Sequence, residues 1–176
     1  MDRKRTEDDF ICGAMTDLDR IDCEILRHLQ KNARISNKAL AERVGVAEST
    51  CLARVRRLRE RDVLRGFHAT IHAEAVGIGL QAMVAVELGT HSRGVVQQFR
   101  EAVRRRPEVV GLYHLGGRTD FLLHVAVRAP GHLRDWILST LTERDEVARV
   151  ETSLLFDHEQ MAEWPIYPSA REARSR

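Results

Sequence analysis

Basic side chains crowd into one stretch of the chain, residues 33–66, and arginine supplies most of them. This stretch holds nine Lys and Arg residues against four Asp and Glu, a net charge of +5, whereas the whole chain of 176 residues has a formal net charge of +2. The planar guanidinium group of arginine can donate paired hydrogen bonds to phosphate oxygens and to the edge of guanine, so the cluster is suited to binding DNA. The alternative is the solvated face of an ordinary helix.

A helical wheel separates an outward arginine face from an apolar stripe. A helix from Ala47 to Arg61 would expose hydroxyl groups at its start and guanidinium groups along its length. The predicted buried stripe consists of Cys51, Leu52, Val55 and Leu58. Short polar side chains close to base edges, with cations beside the phosphates, are what a major groove requires.

Arg54 has no acidic neighbour three or four positions away, which favours an outward and unpaired guanidinium. Arg57 lies on the same side of the wheel. Replacing either arginine with alanine is therefore expected to weaken DNA binding and leave the fold intact. The residues predicted to contact DNA are Arg34, Ser36, Glu48, Ser49, Thr50, Arg54, Arg56 and Arg57.

Two further helices are predicted before this one. Apolar residues recur at helical spacing at Leu18, Ile21, Ile25 and Leu29. Asp19 is placed to cap this first helix, with Asp22 in the reciprocal position three residues later. Ser36 is placed to cap a second short helix that Gly45 ends in a left-handed conformation. Residues 16–66 are thus predicted to be a three-helix, helix-turn-helix domain.

After Gly66 the sequence pattern changes to one typical of strands. A linking strand and hinge are predicted over residues 67–79. A βαββαβ domain is predicted over residues 80–160, because two helical patterns interrupt four apolar runs. The predicted strands are Gln81–Leu88, Val109–Leu115, Asp120–Val127 and Val147–Phe156. The fold class is α+β, with a ferredoxin-like second domain, and residues 1–15 and 161–176 are predicted to be tails.

Two of the predicted strands are apolar on both sides. In the strand that contains Val84, the alternate positions Met83 and Ala85 are also apolar, and the strand from Asp120 repeats the pattern. Both helices of a ferredoxin-like fold cover the same face, so the other face needs a different cover. The simplest way to bury this face is to pack it against the same face of a second copy, which predicts a homodimer.

The loop between the second and third predicted strands offers a possible ligand site. It comprises Leu115, Gly116, Gly117, Arg118, Thr119 and Asp120. A carboxylate with free backbone amides matches the ammonium and carboxylate groups of an amino acid. The alternative is a simple hairpin, in which Asp120 only accepts hydrogen bonds from nearby backbone amides.

Both halves resemble one family of regulators. The first half contains LDRIDCEILRHLQKNARISNKALAERVGV and then CLARVRRLRERDVLRGF. These runs are similar to the DNA-binding domain of the Lrp/AsnC family, and the βαββαβ half is similar to that family's effector-binding, oligomerising domain. The resemblance spans roughly residues 17–158. It implies a transcriptional regulator that forms dimers, builds tetramers or octamers from them, and responds to an amino acid.

The chain departs from the family pattern at two places. Ala47 stands where the family commonly has a capping serine, so the third helix lacks a side-chain cap, which Glu48 partly offsets. The loop keeps the family's Gly117 and Asp120 but differs around them. The identity of the effector is therefore left open.

Other classes of protein receive less support from the sequence. The histidines His68 and His72 are spaced too widely along a strand to share one metal ion, so no metal or other cofactor is expected. Three cysteines without a C-x-x-C pair, and no long apolar run, predict a cytoplasmic protein. Two alternatives stay open, a tetrapyrrole-processing decarboxylase of the same architecture and a metabolite-binding oligomer that does not bind DNA.

Overall fold

The computed structural model describes residues 18–159 and 163–166. The predicted N-terminal tail and most of the predicted C-terminal tail lie outside the described residues. The chain divides into two compact units, and the boundaries between them along the sequence fall after Ala69 and after Glu159. The first unit holds residues 18–69 with 163–166, and the second holds residues 70–159.

Three helices build the first unit, as predicted. They are α1 (Arg20–Lys31), α2 (Asn37–Val44) and α3 (Glu48–Glu60). The Asp19 carboxylate caps α1 by accepting a hydrogen bond from the Asp22 amide, and the Ser36 hydroxyl caps α2 in the same way. Gly45 ends α2 with a φ of 71°, a left-handed conformation that favours glycine.

The apolar stripes of the three helices meet in one small core. Its buried members are Ile25, Leu26, Leu29, Leu40, Ala41, Val44, Cys51 and Leu58. Cys51 is a core residue because its side chain is fully buried, and this burial raises the pKa of its thiol. The prediction that Leu52 joins the stripe is wrong, because Leu52 is 55% exposed. It lies about 100° around the helix from Cys51 and therefore faces away from the core.

The predicted linking strand does not form within the single chain. Residues 67–72 form no strand, and a short 3-10 turn, Glu74–Val76, follows them. A strand needs a neighbour with which its backbone exchanges hydrogen bonds, and this segment pairs with none of the described strands. Gly79 then enters the second unit beside the Arg128 carbonyl oxygen, which a Cβ atom at this position would approach to 2.5 Å.

The second unit has the predicted βαββαβ order. Its elements are β1 (Leu80–Leu88), α4 (Arg93–Arg104), β2 (Val109–His114), β3 (Phe121–Val127), α5 (Pro130–Ile137), which continues as a π turn over Leu138–Thr142, and β4 (Val147–Leu155). The strands form one sheet in the order β2-β3-β1-β4, and every neighbouring pair is antiparallel. The ferredoxin-like prediction is confirmed.

Both helices of this unit pack on the same face of the sheet. Alternate residues of β1 and β3, such as Val84 and Leu123, share one buried cluster with Phe99 of α4 and Trp136 of α5. This cluster is the main core of the unit. None of the helices in the described part of the chain is long and apolar enough to cross a membrane.

The opposite face of the sheet carries apolar residues without a covering helix. Cross-strand pairing places Met83 beside His124 and Ala85 beside Leu122, so all four side chains share this face. Met83, Ala85 and Leu122 are only half-buried. His124 is buried, because the Gln81 side chain lies 2.8 Å from its Nε2 atom and the His158 ring packs against it edge to face.

The buried His124 makes stability depend on pH. Burial lowers the pKa of His124 below its ordinary value of 6.5, and the charge of His158 acts in the same direction. The unfolded chain therefore binds more protons than the folded chain below about pH 6.5. We expect the free energy of unfolding to be undiminished above that pH and to fall as the pH drops from there towards the lowered pKa.

Denaturant unfolding between about pH 5 and pH 7.5 measures this dependence. His124→Gln should flatten the curve below pH 6.5. His72→Gln replaces an exposed histidine and should leave the slope unchanged. A slope that persists in His124→Gln would contradict the assignment of the pH dependence to this residue.

Candidate DNA-binding surface and effector loop

The outward surface of α3 combines hydroxyl groups and arginines, as the wheel predicted. Ser49 and Thr50 are exposed in its first turn, and Ala53 and Arg56 are exposed further along. Glu48 is exposed at the start of the helix, where its charge faces the positive end of the helix dipole. Ala47 provides no side-chain cap, as expected.

The predicted DNA-contacting residues from the earlier part of the unit are also at the surface. Arg34 and Ser36 are exposed. The Ser36 hydroxyl already accepts a hydrogen bond from the Ala39 amide at 3.2 Å, so it acts as a cap. The start of α2 also contacts the start of α3, because the Asn37 side-chain amide donates to the Glu48 carbonyl oxygen at 2.9 Å.

The prediction that Arg54 points outward without a partner is wrong, and Arg57, although exposed as predicted, is also held in an ion pair. The Nη1 atom of Arg54 lies 2.5 Å from Oδ2 of Asp19 and 2.9 Å from Oδ1 of Asp22. The Nη2 atom of Arg57 lies 2.6 Å from Oδ2 of Asp22. These ion pairs join α3 to the start of α1, and we call the four residues the α1–α3 brace.

Asp22 is the centre of the α1–α3 brace because it is the most buried charge in it. Its side chain is only 1% exposed, whereas that of Arg54 is 24% exposed and that of Arg57 is 46% exposed. A buried carboxylate without partners would be very costly, and here each oxygen accepts a charged hydrogen bond. The brace therefore fixes the rotation of α3 about its axis relative to α1.

The charges of the brace stabilise one another. Burial of Asp19 opposes its ionisation, but hydrogen bonds from Arg54 and from the Asp22 amide outweigh burial, so the pKa of Asp19 is lowered. The hydrogen bond to Asp19 raises the pKa of Arg54. Both groups are held in their charged forms at neutral pH.

Sequence reasoning missed Asp19 and Asp22 as partners of the arginines. Counting acidic neighbours three or four positions away finds only contacts within one helix, whereas these carboxylates come from a different helix. One signal was present in the sequence. Asp22 falls among the apolar residues of α1, where a charge requires a partner.

The predicted effector loop connects β2 to β3. Gly117 has a φ of 137°, which favours glycine. The carboxylate of Asp120 is nearly buried, and its Oδ2 atom accepts a hydrogen bond from the Leu88 amide at 2.7 Å. Its Oδ1 atom lies 2.9 Å from Nε2 of His91.

Asp120 thus connects the loop to the end of β1, which agrees with the hairpin alternative for this residue. Its own backbone amide donates to the Val86 carbonyl oxygen, and its carbonyl oxygen accepts from Leu115. The rest of the loop is less constrained. Within the part of the chain that the structure describes, the backbone amides of residues 116–119 donate no hydrogen bond to protein.

A shallow depression lies beside the loop on the uncovered face of the sheet. It has a volume of about 80 Å³. Its lining residues are Ala85, Glu87, Arg118, Thr119, Arg149 and Glu151. No group of three potential metal ligands occurs among residues 18–159 and 163–166.

The fold and these two sites define a class of protein, a two-domain regulator with a helix-turn-helix unit and a separate α+β unit. Comparison with protein families agrees with this class. An AsnC-type helix-turn-helix domain matches residues 18–59, and an Lrp/AsnC ligand binding domain matches residues 81–163. The chain belongs to the Lrp/AsnC family of transcriptional regulators.

Individual relatives support the same conclusion. The HTH-type transcriptional regulator AldR of Mycolicibacterium smegmatis is 49% identical over 142 residues, which cover 81% of this chain and 83% of the relative. The leucine-responsive regulatory protein of Rhizobium meliloti is 38% identical over 138 residues, which cover 78% of this chain and 88% of the relative. These relatives are regulators and not enzymes, so the decarboxylase alternative is wrong.

Solved structures share the fold. The crystal structure of MtbAldR has a TM-score of 0.75 and 38% identity, and the match covers 86% of this chain and 99% of that one. A transcriptional regulator from Neisseria meningitidis, solved as a complex with L-Met, has a TM-score of 0.74 and 31% identity. That match covers 82% of this chain and 93% of the other.

The α1–α3 brace reverses the expectation for alanine substitutions. Arg54→Ala should lower the free energy of unfolding by about 1.5 to 3 kcal/mol, because it removes charged hydrogen bonds and leaves Asp22 buried with one partner fewer. Arg56→Ala should change it by less than about 0.5 kcal/mol, because Arg56 is exposed on the same helix. Denaturant unfolding measures both values, and equal stability of the two variants would contradict the brace.

Proposed function

We propose that this regulator binds operator DNA as a homodimer in the cytoplasm, with α3 of each subunit in a major groove, and that an amino acid regulates it. The observation that carries the proposal is the exposed surface of α3, which presents Ser49, Thr50 and Arg56 on a helix held by the α1–α3 brace. A preorganised helix does not have to be ordered when DNA binds, which favours affinity.

The brace divides the predicted DNA contacts into two roles. We assign direct contacts to Ser49, Thr50 and Arg56, with Glu48 able to accept a hydrogen bond from a cytosine amino group. We assign positioning to Arg54 and Arg57, because their guanidinium groups bind Asp22. Arg34 is exposed before α2 and is suited to a flanking phosphate.

The uncovered sheet face supports the homodimer. Met83, Ala85 and Leu122 lie together on that face with Tyr113, which is 51% exposed. An apolar face of this kind becomes favourable when a second copy removes it from water. Two-fold symmetry would then present two α3 helices to DNA. We further propose that these dimers assemble into tetramers or octamers.

The amino-acid site is proposed at the loop of residues 115–120. Its free backbone amides suit the carboxylate of an amino acid, and Asp120 supplies a carboxylate for the ammonium group. Because His91 already lies 2.9 Å from Asp120, a ligand ammonium would share or replace that contact. The L-Met complex of the Neisseria meningitidis regulator supports an amino acid as the ligand class.

The DNA-binding proposal predicts a two-fold symmetric footprint. On a fragment from upstream of its own gene, protected half-sites should lie about one helical turn apart, or a multiple of it. Arg56→Ala should weaken binding and reduce the slope of log affinity against log salt concentration by about 1 for each phosphate that the arginine neutralises. Arg104→Ala, which removes an exposed arginine from α4, is the control and should leave both unchanged. A single asymmetric footprint would contradict the homodimer.

The effector proposal is tested first by a thermal-shift screen of the twenty amino acids, including L-methionine. A ligand that binds only the folded chain raises the Tm. Asp120→Asn keeps an oxygen for the Leu88 amide and removes the charge, so it separates the two interpretations of Asp120. If Asp120 pairs with the ammonium, affinity for the ligand should fall roughly ten- to a hundredfold.

The control for this substitution is Asp145→Asn, which changes an exposed aspartate of the same unit. DNA affinity in the absence of amino acid should be unchanged in both variants. Equal ligand affinities in Asp120→Asn and wild type would show that Asp120 does not bind the ammonium group and only stabilises the hairpin. The absence of any amino acid that raises the Tm would overturn the amino-acid effector itself.

A further inference from the structure

The segment that follows the ligand-binding unit returns to the first unit. Residues 163–166, which we call the C-terminal strap, belong to the compact unit that contains α1, α2 and α3. The matched ligand binding domain ends at residue 163, and the helix-turn-helix match ends at residue 59. Neither family match therefore accounts for residues 164–166.

A single glutamine of α1 holds the backbone of the strap. The Oε1 atom of Gln30 accepts a hydrogen bond from the Trp164 amide at 2.6 Å, and its Nε2 atom donates to the Trp164 carbonyl oxygen at 3.2 Å. A carboxamide has one acceptor and one donor side, and here both bind the same residue. The contact resembles the paired hydrogen bonds that a neighbouring strand would make.

Apolar packing adds to this contact. Ile166 is half-buried and packs against the core of the first unit, as Val63 and Leu64 do at the end of α3. Pro165 lies between the two contacting residues and restricts its own φ and the conformation of Trp164. The strap therefore loses less conformational entropy on docking than a more flexible sequence would.

The chain consequently connects the two units twice. It leaves the first unit after Ala69, builds the whole sheet with its helices, and returns after Glu159. A single flexible connection lets a domain explore a large volume, whereas a second connection reduces that volume. Because the strap is docked on the first unit, the chain that leaves the second unit after Glu159 forms this second connection.

We propose that the C-terminal strap is a fourth packed element of the DNA-binding unit and acts as a second tether between that unit and the ligand-binding unit. By limiting the independent motion of the helix-turn-helix unit, the tether raises its affinity for DNA. The effect on DNA rests on the DNA-binding function proposed above, whereas the docking of the strap on α1 does not.

Docking is tested by hydrogen exchange on the full chain. Gln30→Ala should increase the exchange rates of amides in the last turn of α1 roughly two- to tenfold, which corresponds to about 0.5 to 1.5 kcal/mol for the hydrogen bonds that the substitution removes. Ile166→Ala should have a similar effect. Alanine is a better helix former than glutamine, so the substitution by itself would slow exchange.

The matched control is Gln97→Ala, which removes an exposed glutamine from α4. It should leave exchange in α1 unchanged. If exchange in α1 is the same in Gln30→Ala, Ile166→Ala and wild type, the strap does not dock in solution and the proposal fails.

The tether is tested by lengthening it without changing the docked residues. Six glycine and serine residues inserted after Glu159 should lower DNA affinity roughly three- to tenfold and leave exchange in α1 as in wild type. The same residues added after Arg176 should have no effect, because they do not lengthen the connection. Unchanged DNA affinity in the first insertion would refute the tether. Failure of the wild type itself to bind DNA would instead refute the DNA-binding function, while the exchange experiment would still decide docking.

Discussion

The carboxylate of Asp22, buried between α1 and α3, is the interaction on which the proposed DNA-binding surface depends. A charge with so little access to water is tolerated only when it is paired, and Arg54 and Arg57 supply both partners. Because both arginines lie on α3, their ion pairs determine which side of that helix faces α1. The side that carries Ser49 and Arg56 is consequently turned to solvent.

The same physical rule organises the ligand-binding unit. Asp120 is the buried carboxylate there, and its partners are the Leu88 amide and His91. These contacts hold the end of the loop against β1, and the amides of residues 116–119 have no protein acceptors among the described residues. One buried aspartate in each unit, Asp22 or Asp120, therefore positions the residues of the proposed site. Most of the proposed contacts with DNA or with the amino acid are made by neighbouring residues.

Several features of a single chain are incomplete in ways that point to assembly. The sheet has a core on one face and half-buried apolar residues on the other, and the segment of residues 67–72 has no strand partner among the described strands. Burial of apolar surface is the main favourable term in association, so a second copy would stabilise the uncovered face. The C-terminal strap acts within one chain and adds a second connection between the units.

The sequence by itself determined the helices of both units and the four strands of the sheet, because the signals for them are local. Helical spacing, the caps at Asp19 and Ser36, and the left-handed Gly45 each depend on neighbouring residues. The order of strands and helices was equally clear, and so was the family resemblance.

Only the tertiary structure decided which arginines of α3 are free, because Asp22 reaches Arg54 from another helix. Likewise, only the folded chain brings Trp164 to Gln30 across 134 residues. Contacts between distant segments depend on how elements pack, and neither periodicity nor charge spacing within one element contains that information.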